Sequence, residues 1–152
     1  MESCQVNIDA LGKVTARIHT TSSGQGHETL VSTVLGEVMQ IDPELIRITR
    51  PNSLESLPGN SPVGSRMAIM LGGAAARAGE KLKAKIMAIA AHRLGVAIDQ
   101  LRYEGGDVLA HDGRCLGWDE MVELAHRQYH NLPDGMDPGL ASFDIMQVPT
   151  GD

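Results

Sequence analysis

Residues 22–29, with the sequence SSGQGHET, are the feature that most constrains the fold, because they separate two hydrophobic patterns. Upstream, apolar residues alternate with polar ones, which is typical of strands, whereas the apolar residues within 30–38 fall on one face of a helix. Gly24 and Gly26 can adopt positive φ and let another molecule approach the main chain closely. The pattern therefore predicts a strand, a glycine turn and a helix N-terminus with free backbone N–H groups.

Two predicted helix starts are candidates for binding an anion, because the first N–H groups of a helix have no acceptor within it. The second start is Gly64-Ser65-Arg66, where a hydroxyl and a guanidinium add side-chain donors for phosphate. If both helices open on the same edge of a sheet, they could hold one elongated polyanion. The alternatives are an ordinary glycine turn at the first start, and a helix cap at Ser65 with a solvated Arg66 at the second.

The remaining pattern predicts an α+β fold, an α/β two-layer sandwich with a mixed sheet. Strands are expected at residues 6–10, 14–18, 45–48, 101–104, 108–110 and 115–116, and helices at residues 27–40, 64–94 and 118–130. The first two strands should form a hairpin around Leu11-Gly12-Lys13. Small residues in the first half of the long second helix predict close packing against a neighbouring element.

Residues 1–131 are expected to form a single domain, because a chain of 152 residues with 42% hydrophobic content can bury one core. Residues 132–152 are rich in Pro, Gly and Asp. They are expected to be a C-terminal extension that is ordered only if it is fixed by contacts with another part of the structure. Residues 50–64 are dense in Pro, Gly, Asn and Ser and predict a long loop.

Charge and hydropathy exclude several classes of partner. The formal charge of −6 and the lack of a Lys/Arg run argue against a nucleic-acid or anionic-membrane surface. No apolar run approaches the roughly 18 residues that a bilayer span needs, and the start of the chain lacks a signal-peptide pattern. We therefore expect a cytoplasmic protein, in which Cys4 and Cys115 are reduced thiols.

No self-contained catalytic or metal site is expected from the spacing of reactive side chains. His126 and His130 lie one helical turn apart but lack a third ligand at a useful spacing, and His27 with Glu28 lacks the second histidine of a zincin motif. In the first turn of a helix, Glu28 is stabilised as the anion, which favours a capping role over that of a general acid.

Three segments, in order and at their separations, carry a resemblance to a known family: SSGQGHETLVSTVLGEV, LPGNSPVGSRMAIMLGGAA and GWDEMVELAHRQYHNLP. The chain resembles part of the molybdenum-binding large subunit of the xanthine dehydrogenase, aldehyde oxidase and aerobic carbon monoxide dehydrogenase family. The match runs from Val6 to about Pro149. It implies an oxidoreductase, a molybdenum hydroxylase in which water supplies the oxygen added to a carbon centre.

The resemblance implies a molybdenum pyranopterin cofactor, usually the molybdopterin cytosine dinucleotide form in bacterial members, and two groups of binding residues. It places Gly24, Gln25, Gly26 and His27 on the pterin and dithiolene side, and Gly64, Ser65, Arg66 and Ala68 toward the phosphates. Met67 and Ala68 stand where several relatives carry hydroxyl residues, which limits both positions to main-chain contacts.

The resemblance also implies partners, because the family subunit is several times longer than this chain. Its glutamate base and its glycine-phenylalanine-glycine loop belong to segments that this sequence does not contain. We therefore expect a domain fragment that holds the cofactor, is inactive alone, and works with the remainder of the molybdenum subunit and with iron-sulfur and flavin subunits. Two alternatives are a stand-alone phosphate- or nucleotide-binding module and a subunit-docking module; homo-oligomerisation is left open.

Overall fold

In the computed structural model, which describes residues 2–19, 25–50 and 64–146, helices and sheets enclose one hydrophobic core. The strands are β1 (Glu2–Ile8), β2 (Val14–His19), β3 (Ile46–Thr49), β4 (Leu101–Glu104), β5 (Asp107–Ala110), β6 (Cys115–Leu116) and β7 (Leu140–Met146), and the helices are α1 (Gln25–Met39), α2 (Gly64–Leu94) and α3 (Trp118–Arg127). The predicted α+β class is confirmed.

The first sheet is mixed and has the strand order β3-β2-β1-β7. β1 is antiparallel to both of its neighbours, whereas β2 and β3 are parallel because α1 crosses over between them. The predicted hairpin joins β1 to β2, and its turn is held by the Asp9 carboxylate, which accepts from the N–H groups of Leu11 at 2.9 Å and Lys13 at 3.0 Å.

One face of this sheet is buried under α1 and α2, which explains the alternating sequence pattern. Inward side chains of the first two strands are fully or almost fully buried, namely Cys4, Val6, Ile8, Val14, Ala16 and Ile18. The outward side chains Gln5, Asn7 and Arg17 are exposed. Helix residues such as Leu35 and Leu82 belong to the same core, so helices and sheet form the predicted two layers.

The short strands β4, β5 and β6 are antiparallel as predicted, but they form a separate sheet. α2 has 31 residues, about 46 Å at 1.5 Å per residue, and contacts elements of both sheets. The C-terminal end of α1 is fixed to the second sheet, because the Tyr103 hydroxyl donates to the Met39 carbonyl at 2.7 Å.

β7 lies within the segment for which the sequence predicts only an extension. It pairs with β1 along the whole length of that strand, from Glu2 opposite Met146 to Ile8 opposite Leu140. α2 holds it from the buried side, where the Asp144 carboxylate accepts from Arg77 Nε at 2.7 Å and Lys81 Nζ at 2.8 Å. A strand with polar inward residues does not follow the usual apolar alternation, and the pattern therefore misses it.

No helix in the described part of the chain is long and apolar enough to cross a lipid bilayer.

Candidate functional site

The predicted binding residues that the structure describes lie at the starts of α1 and α2. The backbone of Gln25, Gly26 and His27 opens α1, and that of Gly64, Ser65, Arg66 and Ala68 opens α2. Gly24 lies outside the described residues. Gln25 and Gly26 are already helical and do not form the predicted turn. First-turn residues make no N–H bond within the helix, so glycine is tolerated there at little cost.

Both helices begin at the same edge of the first sheet. Arg17 near the end of β2 pairs with Thr49 at the end of β3, and the two strands are parallel. Their carboxyl ends therefore meet at one edge, and the chain runs from β2 to α1 and from β3 to α2. In open α/β sheets this edge, outside the carboxyl ends of the strands, is where ligands bind.

α1 and α2 also run side by side in the same direction. A Cβ on Gly72 would lie 3.7 Å from Leu30 Cδ2, and a Cβ on Gly79 would lie 3.0 Å from Val38 Cγ1. The later residue of α2 therefore contacts the later residue of α1, so the two helices are parallel. This is the close packing that the small residues of α2 predict.

The packing register brings the two helix starts to one end of the pair. Gln25 lies about 8 Å before Leu30 along its axis, and Gly64 lies about 12 Å before Gly72, at about 1.5 Å per residue. The two starts are therefore offset by only about one helical turn. The positive ends of both helix dipoles point the same way, so their attraction for an anion adds.

An ion pair stands beside these helix starts. Arg50 Nε, directly after β3, lies 2.9 Å from Glu28 Oε1 in the first turn of α1. The Arg50 side chain is largely buried, and it ties the end of the strand to the start of the helix. The sequence pattern predicts a capping role for Glu28 but does not single out Arg50. Its position immediately after a strand at the ligand-binding edge is the signal that could have identified it.

The described ranges hold no cluster of side chains that could bind a metal ion, and one of the two cysteines is kept as the protonated thiol. No group of three or more His, Cys, Asp and Glu side chains could hold a metal there. His126 Nδ1 lies 2.9 Å from the Val122 carbonyl oxygen within α3. Burial, with a further contribution from the charge of Asp144, raises the pKa of the Cys4 thiol to about 12, so it stays protonated.

A groove of about 570 Å³ lies at the opposite edge of the first sheet. It is lined by Gly12 of the hairpin turn, by Val14 and Ile46 at the amino ends of β2 and β3, and by Trp118. The predicted binding residues begin helices at the other edge, so this groove is not the predicted site.

Comparison with known proteins gives consistent matches over nearly the whole chain. A family model described as a molybdopterin cofactor-binding domain matches residues 1–141. The carbon monoxide dehydrogenase large chains of Hydrogenophaga pseudoflava and Afipia carboxidovorans are 31% and 33% identical over 148 residues. The reconstituted CO dehydrogenase from Oligotropha carboxidovorans superimposes with a TM-score of 0.79 at 28% identity and covers 98% of this chain.

These matches cover 97% of this chain but only 18% of each large chain. In the solved structure the match likewise covers 18% of that chain. The protein therefore spans about a fifth of the length of the curated relatives that it matches.

Proposed function

The chain belongs to the molybdopterin cofactor-binding domain family, and from that premise we propose that it grips the pyranopterin and its phosphates with the starts of α1 and α2. One observation supports this above all: α1 and α2 are parallel and both begin at the carboxyl edge of β2 and β3. Two helix N-termini that face the same way suit an elongated ligand with negative charge.

The donors at this edge fit such a cofactor. The first turn of each helix presents backbone N–H groups with no acceptor in the helix, and these suit phosphate oxygens and the polar edge of a pterin. In this proposal Gly24, Gln25, Gly26 and His27 contact the pterin side, and Gly64, Ser65, Arg66 and Ala68 face the phosphates. The guanidinium of Arg66 adds a full positive charge to the partial positive charge of the helix N-terminus.

The domain holds and orients the cofactor and does not complete a catalytic cycle alone. When bound, the cofactor supplies the molybdenum that takes up the electrons of the substrate. The family relatives are about five times longer, and in this proposal the residues that move the substrate proton belong to the remaining length. Hydroxylation of any aldehyde or N-heterocycle by the 152-residue chain alone would contradict this.

Three further properties belong to the same proposal. The cofactor is the cytosine dinucleotide form, the protein works in the cytoplasm, and electrons leave through iron-sulfur and flavin subunits. The family match and the large-chain relatives support the coarser features of a molybdenum pyranopterin and of a subunit in a larger complex.

Calorimetry with the chain and three ligand classes tests the proposal. We expect the pterin cofactor to bind most tightly and cytidine diphosphate to bind detectably, since its diphosphate can reach the α2 start. Adenine nucleotides should bind more weakly than cytidine diphosphate. A preference for adenine nucleotides with no pterin binding would instead identify a stand-alone nucleotide-binding module.

A further inference from the structure

The outward face of the first sheet is uncovered over much of the described part of the chain. We call the outward side chains of β1, β2, β3 and β7 the outer sheet face. Among the described residues, α1 and α2 pack against the opposite side, and on the outer sheet face Gln5, Asn7, Arg17, Arg47 and Phe143 are exposed. A sheet with one open face is common when that face is polar. This one departs from that pattern in two ways.

The first departure is an apolar pair at the β7 side of the face. Phe143 is 47% exposed and Ile145 is 39% exposed, and they are neighbours on the same face of the strand. Phe143 is the single phenylalanine of the chain. An exposed aromatic residue beside a branched aliphatic one, in a chain so poor in aromatic residues, is typical of an interaction surface.

The backbone beneath this apolar pair is fixed by α2. Lys81 Nζ donates to the Phe143 carbonyl at 3.0 Å, and Arg77 Nη2 donates to the Ile145 carbonyl at 3.1 Å. Both carbonyls are therefore already engaged, which disfavours the addition of another strand at this edge. A partner must therefore recognise the side chains of the outer sheet face, and the strand that carries Phe143 and Ile145 is already fixed in position before binding.

The second departure is the sign of the charge. Arg17 and Arg47 project from adjacent strands, and the described outward side chains of these four strands include no carboxylate. This is unexpected in a chain with a formal charge of −6. Neither arginine has a described ion-pair partner, unlike Arg102 in β4 and Arg114 directly before β6.

The basic and apolar parts of the face lie close enough to act together. Gln5 pairs with Phe143 on one side and with Arg17 on the other. Phe143 and Arg17 are therefore two strand spacings apart, about 10 Å. A single complementary surface can cover both.

We propose that the outer sheet face is the surface on which the remainder of the molybdenum subunit docks, through a patch of acidic and apolar side chains. This inference rests on the proposed function, because the large-chain relatives extend far beyond the 18% of their length that this chain matches.

Charge complementarity favours the remainder of the subunit over other binding partners of the outer sheet face. A second copy would place one arginine-bearing face against another, which like-charge repulsion opposes. The net charge of −6 likewise opposes nucleic acid and anionic membranes.

The test uses the Hydrogenophaga pseudoflava carbon monoxide dehydrogenase large chain from which the segment matched by this protein has been removed. Its affinity for the 152-residue chain is measured in solution at low and moderate salt. Two variants alter the face, Arg17→Glu with Arg47→Glu, and Phe143→Ser. Two controls alter exposed residues elsewhere, Arg102→Glu and Leu11→Ser. Circular dichroism melting establishes that each variant folds.

We expect the unaltered chain and both controls to bind, and each outer-face variant to bind at least about tenfold more weakly. Equal binding by all variants would overturn the docking surface and leave the cofactor proposal standing. No binding by the unaltered chain would overturn the docking inference, and cofactor calorimetry then decides separately whether the proposed function also fails. Self-association that only the outer-face variants abolish would make a second copy the occupant, contrary to our inference.

Discussion

The indole of Trp118 lies directly against Gly12 and joins the two sheets of the protein. Trp118 Nε1 donates to the Gly12 carbonyl at 3.2 Å, and the Trp118 N–H donates to Asp107 Oδ1 at 2.9 Å. On the other side, a Cβ on Gly106 would lie 2.8 Å from the indole ring. The hairpin turn of the first sheet and the β4–β5 turn of the second therefore meet on one aromatic ring.

Replacement of Gly12 by alanine should lower the free energy of unfolding by about 2–4 kcal/mol. Gly12 has a φ of +84°, and an added Cβ would lie 2.9 Å from Trp118 Nε1, so backbone strain and a steric clash combine. Gly113→Ala is the matched control, because Gly113 has a φ of +94° but open space around its Cα. It should cost only about 1–2 kcal/mol, from strain alone. Equal losses in urea unfolding would show that the Trp118 contact adds nothing.

Asp144 should make stability depend on pH. Burial alone would raise its pKa, but the hydrogen bonds and charges of Lys81 and Arg77 outweigh burial and lower the pKa below its ordinary value. The stabilisation is therefore complete above the ordinary aspartate pKa of about 4, and is lost as the pH falls through the lowered value.

The variant Asp144→Asn should isolate this effect. At neutral pH we expect it to be less stable by about 1–2 kcal/mol, because two charge-assisted hydrogen bonds are weakened. The gap between the unaltered chain and the variant should shrink as the pH falls below about 4. Urea unfolding from pH 7 to pH 3 measures it. A gap that stays constant over this range would contradict the assignment.

The fold follows from the sequence wherever local periodicity and burial agree. α2 and the β1–β2 hairpin were predictable because apolar residues recur at helical or strand spacing and glycine marks the turns. β7 was not, since its inward residues include Ser142 and Asp144 while Phe143 points outward. Those polar groups are satisfied by α2, with Ser142 Oγ donating to the Ala78 carbonyl at 2.5 Å. Contacts between residues so distant in sequence leave no local pattern.

The candidate site was predictable only in part, for the same reason. The two helix starts are visible in the sequence as small residues before an apolar periodicity. Their position at one end of a parallel helix pair depends on contacts such as Leu30 with Gly72, which no local pattern encodes. The ion pair of Arg50 with Glu28 likewise needs the strand and the helix to be placed together first.

The two cysteines should differ sharply in reactivity. Cys4 is fully buried and its pKa is raised to about 12, mainly by burial, whereas Cys115 is exposed. Because the thiolate is the reactive form, iodoacetamide at neutral pH should modify Cys115 and leave Cys4 intact in the folded protein. In denaturant both should react. Mass spectrometry of the peptides locates the adducts, and rapid labelling of Cys4 without denaturant would contradict the buried position.

Removal of the Tyr103 hydroxyl should weaken the end of α1. The hydroxyl donates to the Met39 carbonyl at 2.7 Å, where the helix has no further N–H group to offer. Tyr103→Phe keeps the ring, and with it the contact that Lys83 makes 5.1 Å from the ring centroid. We expect a loss of about 1 kcal/mol in the free energy of unfolding, from the hydrogen bond alone. An unchanged stability would mean that water replaces the hydroxyl at no cost.

Anion binding at the α1 start should depend on backbone N–H groups more than on the Gln25 side chain. Gln25→Pro removes the N–H of the first residue of α1, at a position where proline fits a helix. Gln25→Ala removes the side-chain amide and keeps the N–H. Under the proposed function, the proline variant should bind the pterin cofactor about tenfold more weakly, while the alanine variant loses less. Calorimetry measures both affinities, and thermal melting checks that both variants fold. If alanine weakens binding as much as proline does, the side-chain amide is the donor and the helix start is only its support.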